Sequence, residues 1–245
     1  HANETTLGAD NGIGVAMALA ILDSDQVAHG PMTALFTTNE EVGMDGAINL
    51  KVGDLSGHYL INIDTEVEGE FIVSCAGGSH IDFEIPALKE RRCQRFDKAI
   101  TITVEGLLGG HSGMEIYKQR ANANVIMARL LTQLRKQYAL QVVDFAGGSK
   151  HNAIPRKCQA TIVIKDEDSQ AIDNLINYYQ KALREEFTPQ DPDLTIHTTP
   201  ATLPTYVFIE DTVDALLSFL TLAPHGVHSM AKAFPNLVET SDNIA

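Results

Sequence analysis

The strongest constraint on the fold is an order of hydrophobic periods that begins near residue 98. "KAITITVEG" (98–106) alternates apolar and polar residues, the signature of a strand with one buried face. "ANANVIMARLLTQLRKQY" (121–138) carries its apolar residues at helical spacing. "LQVVDFAGG" (140–148) and "KCQATIVIKD" (157–166) return to strand character. "SQAIDNLINYYQKALREEF" (169–187) is a second amphipathic helix, with Ser169 as its expected cap, and "LTIHTTP" (194–200) is a last strand. The order β-α-β-β-α-β is the ferredoxin-like split unit, and residues 98–200 are enough for an independent small domain. A further helix (209–223) and a short strand (236–241) follow.

Residues 1–96 have a different pattern. "GIGVAMALAILD" (12–23) reads as a helix that is apolar almost all round, and such a helix is expected to be buried on more than one side. "PMTALFTT" (31–38) and "HYLINID" (58–64) are short apolar runs bounded by turn signals, with "MDGAINL" (44–50) helical between them. They read as buried strands of a parallel sheet. The expected fold class is α/β: a partial parallel-type sheet over residues 1–96, then a domain over 97–245 built on the ferredoxin-like unit.

Charge and cysteine usage narrow the function classes. Acids outnumber bases 32 to 18, giving a net charge of −14, and no basic patch of the size a duplex needs is present. The basic residues of 118–137 fall around an amphipathic helix, where a solvated face accounts for them. No apolar run is long enough to span a bilayer, and no segment reads as a signal peptide. Cys75, Cys93 and Cys158 are odd in number and widely spaced, which argues against a disulfide framework or a zinc knuckle and fits a reducing, cytoplasmic setting. Cys75 and Cys158 lie in strand-like runs and read as core residues. The expected partners therefore include neither nucleic acid nor membrane.

Four carboxylates fall at equivalent places. Asp10 precedes the apolar helix, Glu40 and Glu41 follow the first apolar run, and Asp64 ends the second. In an open α/β sheet, ligands bind beyond the carboxyl ends of the strands. Each acid has an ordinary reading: a helix cap for Asp10, a solvated loop for Glu40-Glu41, a strand-end acid for Asp64. Together, carboxylates converging on one edge suit a cation, and two metals bridged by a carboxylate suit hydrolysis. On an extended chain Glu40 and Glu41 point opposite ways, so one can hold a metal while the other addresses a water. His29 and His58 lie at the far ends of their runs and read as surface residues. His111, in "GGHSG", and His151, Asn152 and Arg156, in "GGSKHNAIPRK", occupy glycine-bearing loops of the second domain.

In order, "TLGADNGIG", "TTNEEVGMDGA", "INIDTEVEGE", "GGHSGMEI" with "RANAN", and "HNAIPR" resemble the aminoacylhistidine dipeptidases. These are Xaa-His or carnosine-cleaving enzymes of the di-zinc aminopeptidase-like superfamily. Each motif is short, but all occur in one order across residues 5–243. The resemblance implies a zinc-binding catalytic domain carrying a lid domain, and a homodimer formed through the lid. It implies that Asp10 bridges two zinc ions, with Glu41 a ligand of one and Asp64 of the other. It implies that Glu40 is the general base, that His111 polarises the scissile carbonyl, and that Asn152 and Arg156 contact a dipeptide substrate. The family's His-x-Asp motif upstream of the bridging aspartate and its zinc-binding histidine near the far C-terminus have no counterpart here. The chain therefore reads as an internal fragment, expected to be inactive alone. Two other readings stay open: an N-acyl amino acid amidohydrolase or tripeptidase of the same superfamily, and a non-catalytic dimerisation or binding module.

Overall fold

The computed structural model describes residues 11–65 and 68–245. The chain divides into two compact units, one up to Cys75 and one from Ala76 to Ala245.

In the second unit the periodicity of the sequence becomes a four-stranded antiparallel sheet. Strand β1 (Lys89–Arg91) precedes the first sheet strand, β2 (Lys98–Glu105), and the two residues of β3 (Gly110–His111) follow it. Helix α3 (Ala123–Gln137) leads to β4 (Gln141–Gly147), β5 (Ala153–Ile154) and β6 (Cys158–Ile164). Helix α4 (Ser169–Phe187) and β7 (Thr195–Ala201) complete the unit. The sheet order is β4-β6-β2-β7, with every neighbouring pair antiparallel. This is the strand order of the split β-α-β arrangement that the sequence predicts.

The alternation of β2 decides which face is covered. Ile100, Ile102 and Val104 enter the main core with Ile126, Leu130 and Leu134 of α3 and Ile172, Ile176 and Leu183 of α4. Ala99 faces a smaller cluster with Phe96, Val163 and Val207. Each large aliphatic side chain fully buried this way contributes about 1.5–3 kcal/mol relative to exposure. Strand β8 (Tyr206–Phe208) pairs with β1, and α5 (Glu210–Leu222) adds Val213, Leu217 and Leu220 to the main core. A hairpin of β9 (Gly226–Met230) and β10 (Val238–Asp242) follows. The β9 strand and the β1–β8 pair are absent from the sequence reading, because three to five residues carry little periodic signal.

The Asn122 side chain caps α3, its Oδ1 accepting the N–H groups of Asn124 and Val125. The expected Ser169 cap is corrected: Ser169 is the first helical residue of α4, and Asp168 occupies the cap position with no side-chain bond. A 3-10 turn over Asp166–Asp168 runs directly into the helix, which sets the start of α4 one residue earlier than a Ser169 cap would.

The first unit departs further from expectation. Helix α1 (Gly12–Asp23) forms with the bounds the sequence predicts, but most of its side chains are exposed, Ile13 to 66%. The parallel-type sheet is also corrected. Among the described residues, 31–38 and 58–64 have no strand ladder, and Tyr59 and Ile61 are 93% and 85% exposed. An apolar run signals an extended segment but not its neighbour, and without a paired edge its N–H and C=O groups build no sheet. Cys75 is exposed and Cys158 buried, so the core reading holds only for Cys158.

Candidate functional site

The candidate residues lie in both units, and each set is built locally. In the first unit, Asn11 caps α1 by accepting the Gly14 N–H at 2.9 Å, while its Nδ2 donates to the carbonyl of Ile63 at 2.9 Å. The start of α1 is thereby tied to the segment that ends in Asp64. Asp64 donates its backbone N–H to Asn62 Oδ1 at 2.9 Å. Asp10 lies outside the described residues.

Glu40 and Glu41 do not lie on an extended chain. They form one 3-10 turn, Glu40–Val42, entered through Asn39 in the left-handed region at φ 58°. Successive residues on such a turn diverge by about 120° rather than 180°, so the two carboxylates still address different directions. The turn is closed by Met44 N–H donating to the Asn39 carbonyl at 2.7 Å and Gly46 N–H to the Thr38 carbonyl at 3.1 Å. Asn39 Nδ2 also donates to Asp45 at the start of α2 (Asp45–Ile48). Both glutamates are exposed.

Carboxylates are donors that zinc accepts, but a zinc site takes three or four protein ligands. Among the described residues no three His, Cys, Asp or Glu side chains are arranged to hold a metal ion. Glu41 and Asp64 therefore do not make a metal centre by themselves. His29 and His58 are exposed, as the sequence predicts.

The second unit holds its candidates on a miniature sheet. β3 pairs with β5 through Gly110↔Ile154 and His111↔Ala153, and Ser112 N–H donates to the Asn152 carbonyl at 2.8 Å. This brings the His111 loop and the Asn152 loop side by side. His111, Asn152 and Arg156 are all exposed. Two backbone N–H groups, of Gly113 at 3.0 Å and Met114 at 3.1 Å, donate to His111 Nδ1. A nitrogen that accepts twice carries no proton, so the neutral ring bears its proton on Nε2. His151 stacks edge-on against His80, with ring centroids 5.2 Å apart, and His80 contacts Asp82 at 3.0 Å.

The sequence reading missed three residues that shape this loop. Glu115 accepts the His111 N–H at 3.0 Å and contacts Lys118 at 2.6 Å and Arg120 at 3.3 Å. The Lys118 ammonium above all, then the His111 N–H, hold the Glu115 carboxyl down at about 2. Arg120 also donates to the Gly109 carbonyl. Buried Asp191 accepts the N–H groups of Leu108 and Ala121, both at 2.7 Å, from beneath the loop. Glu115 stands four residues after His111, a spacing that could have flagged it. Nothing around Asp191 in the sequence does so.

Close approach explains the paired glycines. Gly110 has φ 139°, and a Cβ there would lie 2.6 Å from Glu115 Oε2 and 2.7 Å from Arg120 Nη1. A Cβ on Gly109 would lie 2.7 Å from Arg156 Nε.

Comparisons with known proteins match both a part of the chain and nearly the whole of it. The peptidase dimerisation domain matches residues 102–191. The chain is 37% identical over 243 residues to the cytosol non-specific dipeptidase of Escherichia coli (strain K12), covering 99% of the chain and 50% of that protein. The crystal structure of aminoacylhistidine dipeptidase from Vibrio alginolyticus matches with a TM-score of 0.73 and 34% identity, over 98% of the chain and 49% of that protein. The chain thus spans about half the length of these relatives. No described helix is long and apolar enough to cross a membrane.

Proposed function

The chain is a homologue of the aminoacylhistidine dipeptidases along nearly its whole length, and from that premise we propose that it is part of a zinc-dependent dipeptidase. The substrates would be dipeptides, those ending in histidine included. The observation that carries this reading is 37% identity over 99% of the chain. On this reading residues 1–96 would belong to the catalytic part and 97–245 to the lid, with a homodimer formed through the dimerisation domain. The enzyme would work in the cytoplasm.

Each candidate residue takes a role its local chemistry permits. Glu40, exposed on its turn, is the general base: it takes a proton from the attacking water and returns it to the leaving amine. Glu41 would diverge from it as a ligand, with Asp10 and Asp64 as this chain's other contributions to a zinc pair. Bound there, zinc would supply Lewis acidity and acidify a water. His111 would donate its Nε2–H to the carbonyl oxygen as negative charge develops there. Asn152, brought beside His111 by the β3–β5 pairing, and the exposed Arg156 would orient the substrate, the guanidinium suiting a terminal carboxylate.

The test is a substrate panel of Xaa-His dipeptides, other dipeptides, tripeptides and N-acyl amino acids, run on the longer protein and on this chain. Dipeptide hydrolysis by the longer protein, abolished by Glu40→Gln, supports the reading. Hydrolysis of N-acyl amino acids alone would replace it with an amidohydrolase. This chain by itself is expected to be inactive and to hold fewer than about two zinc ions by elemental analysis.

A further inference from the structure

His111 sits on an exposed loop, and a solvated imidazole exchanges freely between its two neutral tautomers. Here the ring is held. Its backbone is gripped at both polar groups by one residue: the Glu115 carboxylate accepts the His111 N–H at 3.0 Å, and the Glu115 N–H donates to the His111 carbonyl at 2.9 Å. That grip curls residues 111–115 into a single turn. The curl points the N–H groups of Gly113 and Met114 back at Nδ1. The strand pairing cannot do this, since β3 and β5 share two residue pairs and end at His111.

We propose that Glu115 is the positioning residue that fixes His111 as an Nε2–H donor, the form that hydrogen-bonds a peptide carbonyl oxygen. The carboxylate is anchored for the task. Lys118 contacts Oε1 at 2.6 Å and Arg120 contacts it at 3.3 Å, leaving Oε2 for the His111 N–H. Arg120 joins this group to the Gly109 carbonyl, so the turn is fastened on both sides of His111. Gly110 has no side chain to obstruct the approach of Oε2. With its carboxyl held at about 2, Glu115 stays ionised at any pH near neutrality, so its acceptor for the His111 N–H is always present there.

The proposal rests on His111 being the carbonyl-polarising residue, but its test does not depend on catalysis. The chain is labelled with 15N-histidine, and the tautomer of His111 is read from long-range proton–nitrogen correlations of the neutral ring, the signal being assigned by its loss in His111→Gln. Wild type is expected to show the Nε2–H tautomer alone. Glu115→Ala is expected to show both tautomers, with faster amide exchange at Gly113 and Met114. Glu115→Gln keeps an acceptor for the His111 N–H and is expected to keep the wild-type tautomer. If Glu115→Ala does not fold, Glu115→Asp, one methylene too short, replaces it with the same expectation. An unchanged tautomer in the alanine or aspartate variant, or an Nδ1–H wild type, overturns the proposal. Failure of the carbonyl-polarising role of His111 would appear separately, as dipeptide hydrolysis by the longer protein that His111→Gln leaves intact.

Discussion

Asp191 and Ala121 are 70 residues apart in sequence, yet the buried carboxylate of one accepts the backbone N–H of the other at 2.7 Å. The second carboxylate oxygen takes the N–H of Leu108 at the same distance. One side chain thus supports both the entry to α3 and the residue before the Gly109-Gly110-His111 turn. Asp191→Asn would present an amide NH2 where a second acceptor is needed. It is expected to destabilise the chain by about 1–3 kcal/mol, the range for leaving a buried polar group unsatisfied, measured by urea unfolding.

Glu115 should make stability depend on acid in a defined window. Its folded carboxyl is held at about 2, chiefly by Lys118, against an ordinary value of 4.5. A depressed folded value means stabilisation that is fully present above 4.5 and lost as pH falls through about 2. The stability difference between wild type and Glu115→Gln is therefore expected to be constant near neutrality and to shrink across that interval. Unfolding curves recorded from pH 6 downward check this, and a difference that persists at the acid end would contradict it.

The second unit was legible in the sequence because its elements are long and amphipathic. β2, α3 and α4 each bury one face, and a buried face writes a period into the chain. The first unit was legible only in α1 and in α2, which falls inside the helical stretch expected over 44–50, whereas the extended chain expected at Glu40-Glu41 is a 3-10 turn. Its apolar runs named no partner, and Tyr59 and Ile61 show that apolar character alone does not bury a segment. The site divides likewise. His111, Asn152 and the paired glutamates stand in recognisable motifs, whereas Asp191 acts across long sequence separations that no local pattern records. The "RANAN" motif reads largely as architecture: Arg120 fastens the His111 turn, Ala121 meets Asp191, and Asn122 caps α3.

Burial sorts the three cysteines. The Cys158 thiol is pushed up to about 12 by burial, while Cys75 and Cys93 are exposed. Thiolate is the reactive form, so a maleimide or disulfide reagent should modify Cys75 and Cys93 in the folded chain and reach Cys158 only on unfolding. Peptide mass spectrometry before and after denaturation reads this directly. Labelling of Cys158 at the rate of the other two would show that β6 opens under native conditions.

The paired glycines offer the most direct test of how tightly the His111 turn is built. A methyl group on Gly110 would press on Glu115 Oε2 at 2.6 Å and Arg120 Nη1 at 2.7 Å, at a backbone φ of 139° that side-chain-bearing residues rarely adopt. Holding a non-glycine residue in such a region costs about 1–3 kcal/mol, so Gly110→Ala should destabilise by that order. Met114→Ala is the control: Met114 is 68% exposed on the same turn, and its loss should fall within about 0.5 kcal/mol of wild type. Because the displaced groups are the carboxylate that grips His111 and the guanidinium that anchors that carboxylate, Gly110→Ala should also reproduce the mixed His111 tautomers expected of Glu115→Ala. Under the proposed function, it should also lower dipeptide hydrolysis by the longer protein where Met114→Ala does not. A stable Gly110→Ala chain with a single Nε2–H tautomer would mean that the turn tolerates a side chain at this position and that the close approach of Glu115 does not set the ring.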